Sequence, residues 1–324
     1  MNRRALLAAA AGLPATSRVA RAQAPDWPRQ PLRMILPFAA GGVTDLTARL
    51  LAPGLQQRLG QPIVIEGRTG AGGTIAAEAV ARATDGHTLF STTGATNSIA
   101  PALFPSLRYD PVRDFQPISF IAIVPHVVLV NPASGITSIA ELVAKLRAEP
   151  GRHNYVSTGA GSITHLAPEL FLQLAGGRAT HIPTRGSAPA LTELLSGRVT
   201  FMIDALAPAV GQVQSGALRA LAAGTRRRIP NMPDLPTVAE QGLPEFESYT
   251  WAAIYMTAGA PPAVVQRLHR AVVEAARDAD TARRFFELGY DLVASTPEEL
   301  ARIQQEEHRK WGEVIRRADI KPET

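Results

Sequence analysis

The sequence predicts an α/β protein of two lobes, each a mainly parallel sheet flanked by helices, with a ligand cleft between the lobes. Three observations predict it. The chain of 324 residues is longer than one average domain. Short, nearly all-apolar runs alternate with stretches of helical spacing, the pattern of parallel strands covered on both faces. A late apolar strand then follows a proline-rich stretch, which returns the chain to the lobe where it began. Two crossings between lobes put a ligand site in the cleft.

The elements follow in order. Residues 32–36 are an apolar run with Pro37 behind it, a buried strand. From Thr44 to Leu59 apolar residues recur every three or four positions, a helix that Gly60-Gln61-Pro62 stops. Residues 63–65 form a second strand, 74–83 a helix and 89–91 a third strand. Strands are expected at 118–123 and 127–130, then a helix at 139–148. Strands at 154–157, 180–182, 199–203 and 218–222 alternate with helices at 164–175 and 188–195. Residues 226–244 are loop-like. A strand at 251–257 precedes a mostly helical end, with a long amphipathic stretch over 297–315.

Residues 1–24 read as a signal peptide. Arg3-Arg4 open it, residues 5–13 are an Ala/Leu run too short to span a bilayer, and Ala22-Gln23-Ala24 is an A-x-A cleavage site. The adjacent arginines fit the twin-arginine route, although other export leaders also carry them. Cleavage after about Ala24 leaves an exported chain that starts near Pro25. The leader also holds Arg3, Arg4, Arg18 and Arg21 and no acid, so the remaining body has 29 of the 33 basic side chains against 28 acidic ones. A nearly neutral body lacks the basic face of a nucleic-acid binder.

Chemistry is excluded as broadly. With no Cys there is no disulfide, thiolate metal site or Cys nucleophile. The chain has no phosphate-loop, H-E-x-x-H or G-x-S-x-G motif. Its seven His, at 87, 126, 153, 165, 181, 269 and 308, have no metal-like spacing. No catalytic residues, metal or cofactor are expected. What stands out instead is a pair of Gly-rich turns. Gly70-Ala71-Gly72-Gly73 and Gly159-Ala160-Gly161-Ser162 each follow a strand and open a helix, so each can aim free backbone N–H groups at an anion.

Six motifs in one order carry a resemblance. They are Pro37-Phe38-Ala39-Ala40-Gly41-Gly42 with Thr44-Asp45; Gly70-Ala71-Gly72-Gly73 with Ala77-Glu78; Tyr109-Asp110-Pro111 through Asp114-Phe115; Asn154-Tyr155 through His165-Leu166-Ala167; Gly186-Ser187-Ala188-Pro189-Ala190-Leu191; and Leu235-Pro236-Thr237-Val238-Ala239-Glu240. Together they resemble the Bug-type, or TctC-like, substrate-binding proteins, periplasmic receptors of the tripartite tricarboxylate transporter family. The resemblance implies a type II-like periplasmic-binding-protein fold that closes on a small carboxylate, held by main-chain amides, hydroxyls and bridging waters. It implies a monomeric receptor, not an enzyme, that resides in the periplasm and delivers its ligand to membrane permease subunits. A receptor that serves a signalling partner is the alternative; an exported enzyme lacks a catalytic constellation. Val43, Thr74, Thr184-Arg185 and Ala205 depart from residues frequent in the family, and bear on which ligand is taken.

The expected ligand-binding residues follow. The turn Phe38, Ala39, Ala40, Gly41 and Gly42 lets backbone approach a carboxylate closely, and the helix from Thr44 adds its dipole. Ser157, Thr158, Ser162 and Thr164 offer hydroxyls from the other lobe, where they can also cap helices. Asp45 can order a water, receive an amino group or only complement the helix dipole. Asp204 ends an apolar strand, where ligands sit in open α/β lobes. Arg185 can pair a distal carboxylate. Gly72, Gly161 and Thr93 complete the set, and His165 is expected to be structural or to support the residues that touch the ligand. Residues 25–124 with 251–324 are expected to form the first lobe and 125–250 the second.

Overall fold

The computed structural model describes residues 26–104, 106–317 and 320–321. The expected signal peptide lies outside the described residues. The chain opens with β1 (Leu32–Leu36), α1 (Val43–Leu59), β2 (Ile63–Gly67), α2 (Thr74–Ala81) and β3 (Thr88–Thr93). A π-helical turn at Ala95–Ile99 runs into the short α3 (Ala100–Leu103). The long β4 (Phe115–Val130) follows, then α4 (Ile139–Ala148), β5 (Asn154–Ser157), α5 (Ile163–Ala175), β6 (Thr180–Pro183) and α6 (Ser187–Leu195). β7 (Phe201–Ala205), α7 (Leu206–Gln214), β8 (Arg219–Ala223), β9 (Tyr249–Thr257), α8 (Pro262–Ala276), α9 (Ala279–Glu287), β10 (Asp291–Leu292) and α10 (Pro297–Arg317) complete it.

The strands form one ten-stranded sheet in two halves. The first half runs β2-β1-β3-β9-β4, and the second runs β4-β7-β5-β6. β10 and β8 add to β4. The parallel order expected from the βαβ alternation is present in β2-β1-β3 and in β6-β5-β7. The strands that join the halves run antiparallel: β9 to β3 and β4, and β4 to β7 and β8.

One expectation needs correcting. The two strands expected at 118–123 and 127–130 are a single strand. Pro125 suggested a break, since proline cannot donate to a ladder. In the fold Pro125 sits where β4 changes partners. Residues up to Pro125 pair with β9, ending at Tyr249, and from His126 onward the strand pairs with β7. The missing donor therefore falls at the boundary between two ladders.

Each half buries apolar clusters on both faces of its sheet. On one face of the first half, Leu51, Leu55, Leu268 and Val272 of α1 and α8 pack over Met34 and Ile254. Gly54 makes that crossing close, because a Cβ there would stand 2.8 Å from the Ala275 Cβ. On the other face Val80, Phe90, Phe120 and Trp251 pack together. The second half buries Tyr155, Phe171 and Phe201 on one side and Val156, Leu191 and Met202 on the other. A smaller cluster bridges the halves: Leu103, Trp311 and Ile315 meet Ile163 and Leu166 of α5.

Candidate functional site

The cleft between the sheet halves has an outer chamber of about 490 Å³ and an inner pocket of about 50 Å³. Phe38, Ala39, Thr158, Ser162 and Gly186 line both and join them. The strands β1, β5 and β6 end at this cleft, and the turns after them form its walls, so the site gathers loops at carboxyl ends of strands.

Three helices begin at the inner pocket. α1 contributes Gly42, Val43 and Thr44; α5 contributes Ser162, Ile163 and Thr164; α6 contributes Gly186 and Ser187. None of the three has a side chain bonded to its N-terminal amides. Side-chain caps are present at α4, where Ser138 accepts from the Glu141 N–H, at α9, where Asp278 accepts from Asp280 and Thr281, and at α10, where Thr296 accepts from Glu299; α2, α3, α7 and α8 also start without one. The first N–H groups of a helix have no partner within it and carry the positive end of its dipole. Three uncapped starts around one pocket make a field suited to an anionic oxygen.

The pocket also holds buried polar atoms without partners. Thr44 is 1% exposed and its Oγ1 makes no hydrogen bond. Asp204, 4% exposed, accepts the Ala205 N–H on Oδ1 at 2.7 Å, and its Oδ2 has no hydrogen-bond partner. Burial pushes the Asp204 carboxyl up to about 7, while the Ala205 amide and the nearby Ser187 hydroxyl favour its charged form. The same pocket holds a cluster of hydroxyls, in which Thr164 Oγ1 accepts the Thr158 N–H at 2.8 Å and lies 2.8 Å from Thr158 Oγ1 and 2.9 Å from Ser162 Oγ.

The expected site residues divide between wall and support. Phe38, Ala39, Gly42, Thr44, Thr93, Thr158, Ser162, Thr164 and Asp204 line the inner pocket, and Gly72 and Arg185 line the outer chamber. Ala40, Gly41, Asp45, Ser157 and Gly161 line neither. The Gly41 N–H is engaged, since it donates to Asp45 Oδ2 at 2.9 Å. Asp45 Oδ1 accepts from Arg49 Nε at the same distance, so Asp45 ties the turn to its helix. Ser157 Oγ pairs with His181 Nε2 at 2.7 Å. The Gly161 N–H donates to His165 Nδ1, and the His165 and His181 rings stack with centroids 3.8 Å apart. Burial lowers both imidazoles, His165 to about 4 and His181 to about 3, the latter further by the facing His165. These histidines brace the loop from behind.

Sequence reasoning missed Ser187, Thr250 and Gly186 in the inner pocket and Phe104 in the outer chamber. Ser187 and Gly186 stand in the Gly-Ser-Ala-Pro motif and could have been found from it. Gly186 has φ +117°, and a Cβ there would lie 3.2 Å from the Ala39 Cβ across the cleft, so both conformation and space call for glycine. Thr250 carries no local motif, and only the long-range pairing of β9 brings it in.

The chain matches the family described as the tripartite tricarboxylate transporter family receptor, TctC, over residues 47–320. It is 36% identical over 324 residues to the protein BugT of Bordetella pertussis, covering 99% of each chain. Among solved structures it is similar to an R. palustris protein determined with adipate, at 34% identity and a TM-score of 0.89, covering 92% of this chain and 100% of that one. It is also similar to MatC of Rhodopseudomonas palustris with bound malate, at 34% identity and a TM-score of 0.84, covering 89% of this chain and 100% of that one.

Proposed function

The chain belongs to the tripartite tricarboxylate transporter receptor family, a family of solute-binding proteins, and on that premise we propose that it captures a small carboxylate in the cleft and delivers it to a permease of that type. The observation that carries the reading is the meeting of the uncapped starts of α1, α5 and α6 on a pocket that also holds the unpartnered Thr44 hydroxyl. An anionic oxygen there satisfies N–H groups from both sheet halves at once. Such charge-assisted bonds contribute about 1.5–3 kcal/mol each. The outer chamber is roomy enough for the body of the ligand, with Phe38 and Phe104 for apolar contact and Arg185 for a second acid. Adipate and malate in the two similar structures support a carboxylate.

The same reading makes the chain a monomeric periplasmic protein cleaved after about Ala24. Mass spectrometry of the small molecules released when protein purified from the periplasm is denatured tests it, with N-terminal sequencing of the same sample. The expected result is a stoichiometric carboxylate and a chain that starts near Pro25. A neutral or cationic ligand would overturn the carboxylate, and a chain found in the cytoplasm with Met1 intact would overturn export.

A further inference from the structure

The inner pocket contains a group that an anion site does not need. A carboxylate ligand brings only acceptor oxygens, and Asp204 Oδ2, buried and without a partner, offers one more acceptor. Two acceptors facing each other in a confined pocket repel unless one carries a proton. A buried carboxyl whose second oxygen is left without a donor is costly, and burial pushes Asp204 up to about 7 although the Ala205 amide and the nearby Ser187 hydroxyl oppose the shift. The ligand can resolve both difficulties if it brings a donor next to its acid.

The geometry points to Asp204 as the specificity determinant for a carboxylate that carries a hydroxyl or ammonium on the carbon beside it, with that donor bound to Asp204 Oδ2. The inference rests on the carboxylate reading above and adds the chemistry of the head group. The pocket is small enough for it. Asp204, Thr44, Ser187 and Thr164 all line one space of about 50 Å³, where a water-sized sphere takes about 10–15 Å³ on the same measure. That is room for a carboxyl group and one substituent, with the chain of the ligand leaving past Phe38 into the outer chamber. The two poles of the pocket are then matched: helix starts face the carboxylate, and the buried acid faces the donor.

Isothermal titration calorimetry on matched sets tests this: succinate, malate and aspartate; glutarate, 2-hydroxyglutarate and glutamate; adipate, 2-hydroxyadipate and 2-aminoadipate. In the set of the right length, the hydroxy or amino acid is expected to bind at least about tenfold more tightly than the plain diacid, the scale of one hydrogen bond. Asp204→Ala should abolish that preference. Asp204→Asn, which keeps the shape and a neutral acceptor, should abolish it for the amine and retain part of it for the hydroxyl. Circular dichroism and the unfolding midpoint check that each variant is folded. A plain diacid that binds as tightly as its substituted partners overturns the inference and leaves the carboxylate reading standing. So does a preference that survives in Asp204→Ala. Failure of all nine acids to bind the wild type overturns the carboxylate reading itself, and this inference with it.

Discussion

Thr44 and Asp204 make opposite predictions about stability and binding. Thr44→Val keeps the shape and removes an oxygen that has no hydrogen-bond partner. The free protein is expected to unfold at the same denaturant concentration or slightly higher, because a buried unsatisfied hydroxyl costs stability. Affinity for a carboxylate should fall about tenfold, as read by calorimetry. An unchanged affinity would place the carboxylate elsewhere. For Asp204 the sign follows from linkage. Its folded pKa of about 7 lies above the usual carboxylate value, so the folded state binds the extra proton. Its contribution is fully present below about pH 4 and is lost as pH rises to about 7, at roughly 1.4 kcal/mol per unit. His165 and His181, whose folded values are lowered, act in the opposite direction and gain stability as pH rises toward 6.5. The test is therefore a difference: Asp204→Asn should gain on the wild type between pH 4 and 7 in urea unfolding, and parallel curves would count against the burial account. At this scale the sequence was informative where a motif and a wall coincide, as at Phe38, Thr158 and Ser162. At Gly41 the use of the N–H by Asp45 was not legible, because a sequence reveals which residues permit a close approach and not which partner occupies the amide.

Between the sheet halves, β4 and β9 are the elements that matter most. Where they cross, His126 is fully buried, with Nδ1 2.7 Å from Ser248 Oγ and Nε2 2.9 Å from Thr250 Oγ1. The imidazole joins the strand pair at the point where β4 exchanges β9 for β7. Burial drives its pKa down to about 3, with the Lys310 charge adding to the shift, so a neutral ring bridges two hydroxyls at ordinary pH. His126→Phe keeps the ring and strands both hydroxyls. The expected loss is about 2–6 kcal/mol in urea unfolding, from two buried groups at about 1–3 kcal/mol each. A loss under about 0.5 kcal/mol would mean that Ser248 and Thr250 find other partners. The βαβ units were legible because local periodicity and helix stops mark them, as at Gly60. The continuity of β4 was not, since Pro125 looks like a terminator until its pairing is known. β10 was missed too: Asp291 and Leu292 have no strand pattern and are held only by Ile123 and Ala122 of β4.

For the molecule as a whole, we propose that 25–124 with 251–324 moves as one body against 125–250. Both connections are strands that pair with each other up to Pro125 and Tyr249, so bending is confined to that junction. The walls of the inner pocket are drawn from both sides of it: Gly42, Thr44 and Thr93 on one, Ser162, Ser187 and Asp204 on the other. A ligand that bonds to both is bound fully only when they approach, and can shift the equilibrium by no more than that difference in affinity. The contact of Ala39 with Gly186, and of Leu103 and Trp311 with Ile163 and Leu166, sets how far they approach. The chain has no cysteine, so a pair introduced at exposed positions reports this motion without interference. Val64 and Leu195 are 49% and 38% exposed and lie on opposite bodies. Spin labels on Val64→Cys/Leu195→Cys should give a broad distance distribution in the free protein. It should become shorter and narrower when a bound carboxylate is added. Addition of Thr44→Val should shift that response to higher ligand concentration without changing its end point. Identical distributions with and without a ligand that calorimetry shows to bind would mean the cleft is preformed, and the two-body proposal would fall.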